Sequence, residues 1–190
     1  MKQRRKDVSP VMINHLTPKA EAILNCAMEN AREMGHTYIG TEHLLIGLCG
    51  VDNAISARIM RARGVQSENV RAMIQAETGI GERSAVTPAD MTPRVRGIIE
   101  NAATEAMKTG KSRIGSEHLL LSLLNEKSCV AVHLLEAMQI PVNELKGEVQ
   151  GFLSLTERAQ SAAVSIHDRE VNNKVDSKGS GKSSPLQSYG

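Results

Sequence analysis

Apolar residues recur every three or four positions from Ala20 through Ile23, Leu24, Ala27 and Ala31 to Met34, and again from Val95 through Ile98, Ile99 and Ala102 to Ala106. That spacing puts each set on one face of an α-helix. Both runs carry the same punctuation. Thr17 and Thr92 are N-cap residues, Pro18 and Pro93 take the first helical position, and Gly35 and Gly110 end the last turn. Shorter apolar runs follow, Leu44, Leu45 and Leu48 after a cap at Thr41, and Leu119, Leu120 and Leu123 after a cap at Ser116. A third helix is predicted from about Asn53 to Ala62, ended by Gly64, and a fourth from a cap at Ser67, with Val70, Met73 and Ile74 inward. In the second half the third helix carries Val130, Leu134, Leu135 and Met138. Pro141 then forces a break before a fourth with Leu145, Val149 and Phe152. No alternating pattern predicts a strand.

The chain is written twice. An offset of 75 residues lays Leu16–Leu48 on Met91–Leu123, so that Thr17 meets Thr92, Gly35 meets Gly110, and Glu42-His43-Leu44-Leu45 meets Glu117-His118-Leu119-Leu120. The predicted fold is therefore all-α, with two four-helix repeats related by a pseudo-twofold axis and followed by a flexible linker. The predicted boundaries are an N-terminal extension over 1–14 and a repeat domain over 15–153. Its copies, 16–78 and 91–153, are joined by the turn-rich segment Gly79–Asp90, and a tail fills 154–190. In that tail, Thr156–His167 is predicted as a further helix, and Val171–Gln187 has the polar composition of a linker.

Composition narrows the function. Aromatics are only 2% of the chain, so the core is aliphatic, and base-stacking surfaces are not expected. A formal charge of +2 argues against nucleic acid or an anionic membrane as partner. Cys26, Cys49 and Cys129 are widely spaced and form no C-x-x-C pair, so they predict neither disulfides nor a zinc site. No secretion signal or membrane span is predicted, and a cytoplasmic location is expected.

The doubled I-G-x-E-H-L-L, each copy preceded by a Thr-led helix that ends in Gly, resembles the Clp N-terminal repeat domain. GHTYIGTEHLLIGL looks most like the version in ClpC-type AAA+ unfoldases. The resemblance covers about Leu16 to Leu153. It implies a domain that receives substrates directly or through adaptor proteins. The full-length protein would add an ATP- and Mg-using ring and, through it, a ClpP-type peptidase. No cofactor, metal or enzyme active site is expected in this chain, and the isolated domain is expected to be a monomer. Ser184-Pro185-Leu186-Gln187-Ser188-Tyr189-Gly190 resembles the lead-in to the first ATPase module, so the chain is expected to be a front fragment; a free-standing accessory protein of the same fold is the alternative.

ClpC-type domains also resemble readers of phosphorylated arginine, and the matching positions are Thr17 and Glu42 in the first copy and Thr92 and Glu117 in the second. A helix N-terminus offers unpaired N–H groups to a phosphate, and a carboxylate can pair with the guanidinium of the same ligand. Each repeat is expected to offer both. The sequence departs from the family pattern where Leu16 and Met91 replace an aromatic, and where Pro18 stands for an acid.

Purely structural roles compete with these. Thr17 and Thr92 are complete as N-caps, and Glu42 and Glu117 suit a first helical turn. His43 and His118 do not form the H-E-x-x-H of a zinc protease and read as hydrogen-bonded structural residues. Gly179-Ser180-Gly181-Lys182-Ser183 lacks the upstream glycine of a phosphate loop. An all-helical DNA-binding regulator is the less favoured alternative, because no basic recognition helix is present.

Overall fold

The chain, as a computed structural model, is described over residues 15–176, with side chains to residue 159. The predicted N-terminal extension, the Gly179–Ser183 motif and the last residues of the tail lie outside that range. Residues up to Leu153 form one compact unit, and a second begins at Ser154.

Among the described residues there are eight α-helices and no extended strand. They are α1 Pro18–Glu33, α2 Thr41–Gly50, α3 Ile55–Ala62, α4 Ser67–Thr78, α5 Pro93–Lys108, α6 Ser116–Asn125, α7 Val130–Ala137 and α8 Val142–Asp176. The duplication survives in the lengths: α1 and α5 have 16 residues each, α2 and α6 have 10, and α3 and α7 have 8. Every apolar position predicted for α1 and α5 is buried.

Several predicted boundaries shift. Asn53 is in the left-handed region at φ 59°, so α3 starts two residues later, at Ile55. Gln66 rather than Ser67 is the N-cap of α4, and Gly40 and Gly115 rather than Thr41 and Ser116 precede α2 and α6. The separate helix predicted over Thr156–His167 is part of α8, which runs on to Asp176, so Val171–Asp176 is helical where a linker is predicted. From Phe152 to Asp176 there is neither Pro nor Gly to stop it.

Helices α2 and α6 lie at the centre. Residues Thr41–Cys49 of α2 are all buried, as expected for a helix surrounded by others. Helix α2 packs on α1, α3, α4 and α7, and α6 packs on α5, α3 and α7. The hydroxyls at their first positions cross between repeats. Thr41 Oγ1 accepts the Ala131 N–H at the start of α7, and Ser116 Oγ accepts the Ser56 N–H at the start of α3, each at 3.3 Å. Each repeat thus satisfies an orphan donor of the other. Thr41→Val keeps the shape but removes that acceptor. It is expected to lower stability by about 1 kcal/mol, measured by urea denaturation.

The segment between repeats is strapped along α1. Gly81 N–H donates to the Met34 carbonyl at 2.9 Å, Ser84 N–H to Arg32 at 3.0 Å, and Arg32 Nε back to the Val86 carbonyl at 2.6 Å. Gly35, at φ +78°, is needed twice: it ends α1, and a Cβ there would run into the backbone of Gly81 and Glu82.

Candidate functional site

The G-x-E-H segment builds the first turn of each central helix. Gly40 N–H donates to His43 Nδ1 at 3.0 Å, and Gly115 N–H donates to His118 Nδ1 at 2.9 Å. The histidine at the third helical position thus reaches back to the cap, the part Glu or Gln plays in a capping box. With Nδ1 accepting, the proton sits on Nε2. His43 Nε2–H then donates to His36 Nδ1 at 2.8 Å, and His118 Nε2–H to Thr109 Oγ1 at 3.1 Å. Both rings are buried and neutral. Burial first, then the neighbouring His36, pushes His43 down to about 3, and burial also lowers His118.

Glu42 folds back over Gly40, and Glu117 over Gly115. A Cβ on either glycine would strike the carboxylate. The need for glycine at these two positions comes from that close approach, which helix-start signals alone miss. Glu42 is only 5% exposed. Burial holds its carboxyl above the ordinary range, opposed by its own backbone N–H, by His36 and by Tyr38. Its Oε1 lies 3.5 Å from His43 Nδ1, but with the ring neutral this is no ion pair.

The four predicted ligand residues do not combine within a repeat. Thr92 N–H donates to the Ile39 carbonyl, and Ile39 N–H donates to Asp90, both at 3.0 Å. The equivalent pair joins Thr17 N–H to the Ile114 carbonyl at 2.9 Å, and Ile114 N–H to His15 at 2.7 Å. These short parallel bridges lay the threonine of one repeat beside the G-x-E-H turn of the other. Thr92 and Glu42 consequently line one cavity of about 630 Å3. Where each repeat is expected to pair its own threonine and glutamate, this cavity takes its threonine from one repeat and its glutamate from the other.

Three helix starts meet in this cavity: Gly40, Thr41 and Glu42 of α2, Thr92, Pro93 and Arg94 of α5, and Val130 of α7. Each carries the positive end of a helix dipole. Tyr38 and Glu126 complete the walls. Thr92 Oγ1 accepts Val95 N–H at 3.3 Å, and Thr17 Oγ1 accepts Ala20 N–H at 3.2 Å, so both threonines are true N-caps. Each hydroxyl still has its own proton to donate. The lining therefore brings hydrogen-bond donors, positive helix ends and carboxylates together in one cavity. Tyr38, Arg94, Glu126 and Val130 were not predicted. Only Tyr38 carried a signal, as one of three aromatics in the chain and two residues before Gly40.

Other chemistry finds less support. His36, Glu42 and His43 bring possible metal ligands within 4.8 Å of one another. His43, however, has one nitrogen accepting from Gly40 and the other donating to His36, which leaves no lone pair for an ion. The cysteines are free, and burial pushes Cys49 up to about 12, so it is no thiolate nucleophile. A larger cleft of about 850 Å3, along α7 and the start of α8, contains none of the predicted residues. No helix among the described residues is long and apolar enough to cross a membrane.

The sequence pattern of the Clp repeat (R) N-terminal domain matches residues 15–90 and again 90–171. The chain is 35% identical over 153 residues to the negative regulator of genetic competence ClpC/MecB of Bacillus subtilis, covering 80% of this chain and 19% of that one. It is 31% identical over 171 residues to the chloroplastic chaperone protein ClpC of Pisum sativum, covering 90% and 18%. It thus spans less than a fifth of these relatives. Among solved structures, the N-terminal domain of ClpD from Arabidopsis thaliana superposes with a TM-score of 0.65 at 16% identity, covering 77% of this chain and 99% of that one. A ClpV N-domain in complex with a VipB peptide superposes with a TM-score of 0.56 at 20% identity, covering 81% and 96%. With both copies matched and ClpC-type proteins among its relatives, the chain belongs to the Clp repeat N-terminal domain family.

Proposed function

We propose that this chain is the substrate- and adaptor-recognition domain of an ATP-dependent, ClpC-type unfoldase, and that it reads phosphoarginine on tagged proteins. The observation that carries this reading is the convergence of three helix N-termini and a nearly buried carboxylate, Glu42, on one cavity. A phosphate suits the donors and a guanidinium suits the acid. Phosphoarginine carries both on one side chain. Peptide recognition by a domain of this fold has a precedent in the ClpV N-domain bound to a VipB peptide. The chain itself binds and performs no chemistry. ATP, Mg and the contact with a ClpP-type peptidase belong to the complete protein.

Calorimetric titration with free phosphoarginine tests this, with arginine and phosphoserine as controls. Phosphoarginine alone is expected to saturate. Glu42→Gln removes a charge-assisted pair of about 1.5–3 kcal/mol, and should weaken binding at least about tenfold. Thr92→Val is expected to have a smaller effect in the same direction. Absence of binding by a folded sample would make these residues helix caps and nothing more.

A further inference from the structure

We infer that guanidinium recognition is confined to one of the two pseudo-equivalent sites: the Glu42–Thr92 cavity reads the ligand, the Thr17–Glu117 counterpart does not, and Tyr38, matched by Arg113, decides the difference. This rests on the phosphoarginine reading above.

The repeat offset pairs Tyr38 with Arg113, His36 with Lys111, Glu126 with Val51 and Arg94 with Lys19. In the first site Tyr38 is held as a platform. Its ring lies 5.6 Å from that of His36 at an interplanar angle of 12°, and 5.8 Å from that of His43 at 69°. It lines the cavity beside Glu42, and is 41% exposed. An aromatic face next to a carboxylate is a seat for a planar cation, which can stack on one and pair with the other. Glu126 adds a second acid to the lining, against the single cation Arg94.

At the matching positions the balance shifts toward cations. Arg113 replaces the aromatic platform, Lys111 replaces His36, and Val51 replaces the second acid, so two cations are gained and one acid is lost, while Glu105 still acts on His118. Both carboxylates carry a hydroxyl partner, Ser116 Oγ on Glu117 Oε2 at 3.3 Å and Tyr38 on Glu42, so the contrast lies in the surrounding charges and the aromatic ring. A guanidinium is repelled by Arg and Lys side chains. Cations around Glu117 would attract any phosphate equally, without telling phosphoarginine from phosphoserine. The two sites descend from one pattern, but only the first keeps acid, aromatic and helix starts together.

Titration of the full chain with phosphoarginine, in the presence of a large excess of phosphoserine, decides this. One site per chain is expected. Glu42→Gln should weaken it at least about tenfold, Glu117→Gln should leave the affinity within about twofold, and Tyr38→Arg should weaken it about tenfold, the loss of one stacked or paired contact. The stoichiometry is read on the unaltered chain and does not depend on any variant folding. Two equal sites, or loss of half the binding in Glu117→Gln, would overturn the inference while leaving the phosphoarginine reading intact. No saturable binding by the folded chain would overturn that reading and the inference with it.

Discussion

Acidification from pH 7 to pH 5 is expected to lower the stability of the repeat domain by about 2 kcal/mol through His43 alone. The folded ring titrates at about 3, well below its ordinary value of 6.5. Between those values the unfolded chain binds a proton that the folded chain refuses. The His43 contribution is therefore complete above about pH 6.5 and is lost as pH falls toward 3, at up to about 1.4 kcal/mol per pH unit. The geometry explains the refusal. A proton on Nδ1 would face the Gly40 N–H, and Nε2 already donates to His36. His118 acts in the same direction. Glu42 acts in the opposite one, because its raised carboxyl takes up a proton more readily when folded. Urea denaturation at several pH values measures the sum, and His43→Asn isolates the histidine, since the amide oxygen can still accept from Gly40 without titrating. An unchanged pH slope in His43→Asn would show that this ring does not govern acid sensitivity.

Substitution by alanine at two equivalent positions is expected to act with opposite sign. Gly47 in α2 and Ser122 in α6 correspond through the repeat offset. A Cβ at Gly47 would collide with the backbone carbonyl of Ile23 in α1, which no rotamer change can move aside. Gly47→Ala must therefore separate α1 and α2. The expected loss is about 2 kcal/mol, even after the gain of about 1 kcal/mol in helix propensity. In the second repeat a larger residue already fits. The Ser122 hydroxyl is buried and has no hydrogen-bond partner among the described residues. Ser122→Ala removes an unsatisfied polar atom and is expected to stabilise by about 1 kcal/mol. Thermal melts of the two variants give the comparison directly, and a shift of both in the same direction would sink it.

The departures in α8 show the limits of local patterning. Phe152 closes the last clear apolar repeat, yet nothing after it breaks a helix, so regular structure continues beyond the apolar signal. Thr41 and Ser116 show a subtler limit. Their residue types and positions announce helix starts, and those helices do start there. The hydroxyls nevertheless serve α7 and α3 of the opposite repeat, while histidines close the caps from within.

What the sequence determined by itself were the features whose causes lie within a few residues of one another: apolar faces at helical spacing, Thr-Pro starts, Gly stops, and the doubling that makes the second half a copy of the first. The candidate residues Glu42 and Thr92 were legible too, through the wording of the repeated motif. Their partnership was not. Two copies of one unit can close on themselves or on each other with the same local signals, and the choice is made by the bridges from Thr92 to Ile39 and from Thr17 to Ile114. Those contacts join positions far apart in the chain, and depend on burying α2 and α6 together. Only tertiary packing could therefore decide that the threonine of one repeat meets the carboxylate of the other, and that Tyr38 and Arg94 stand beside them.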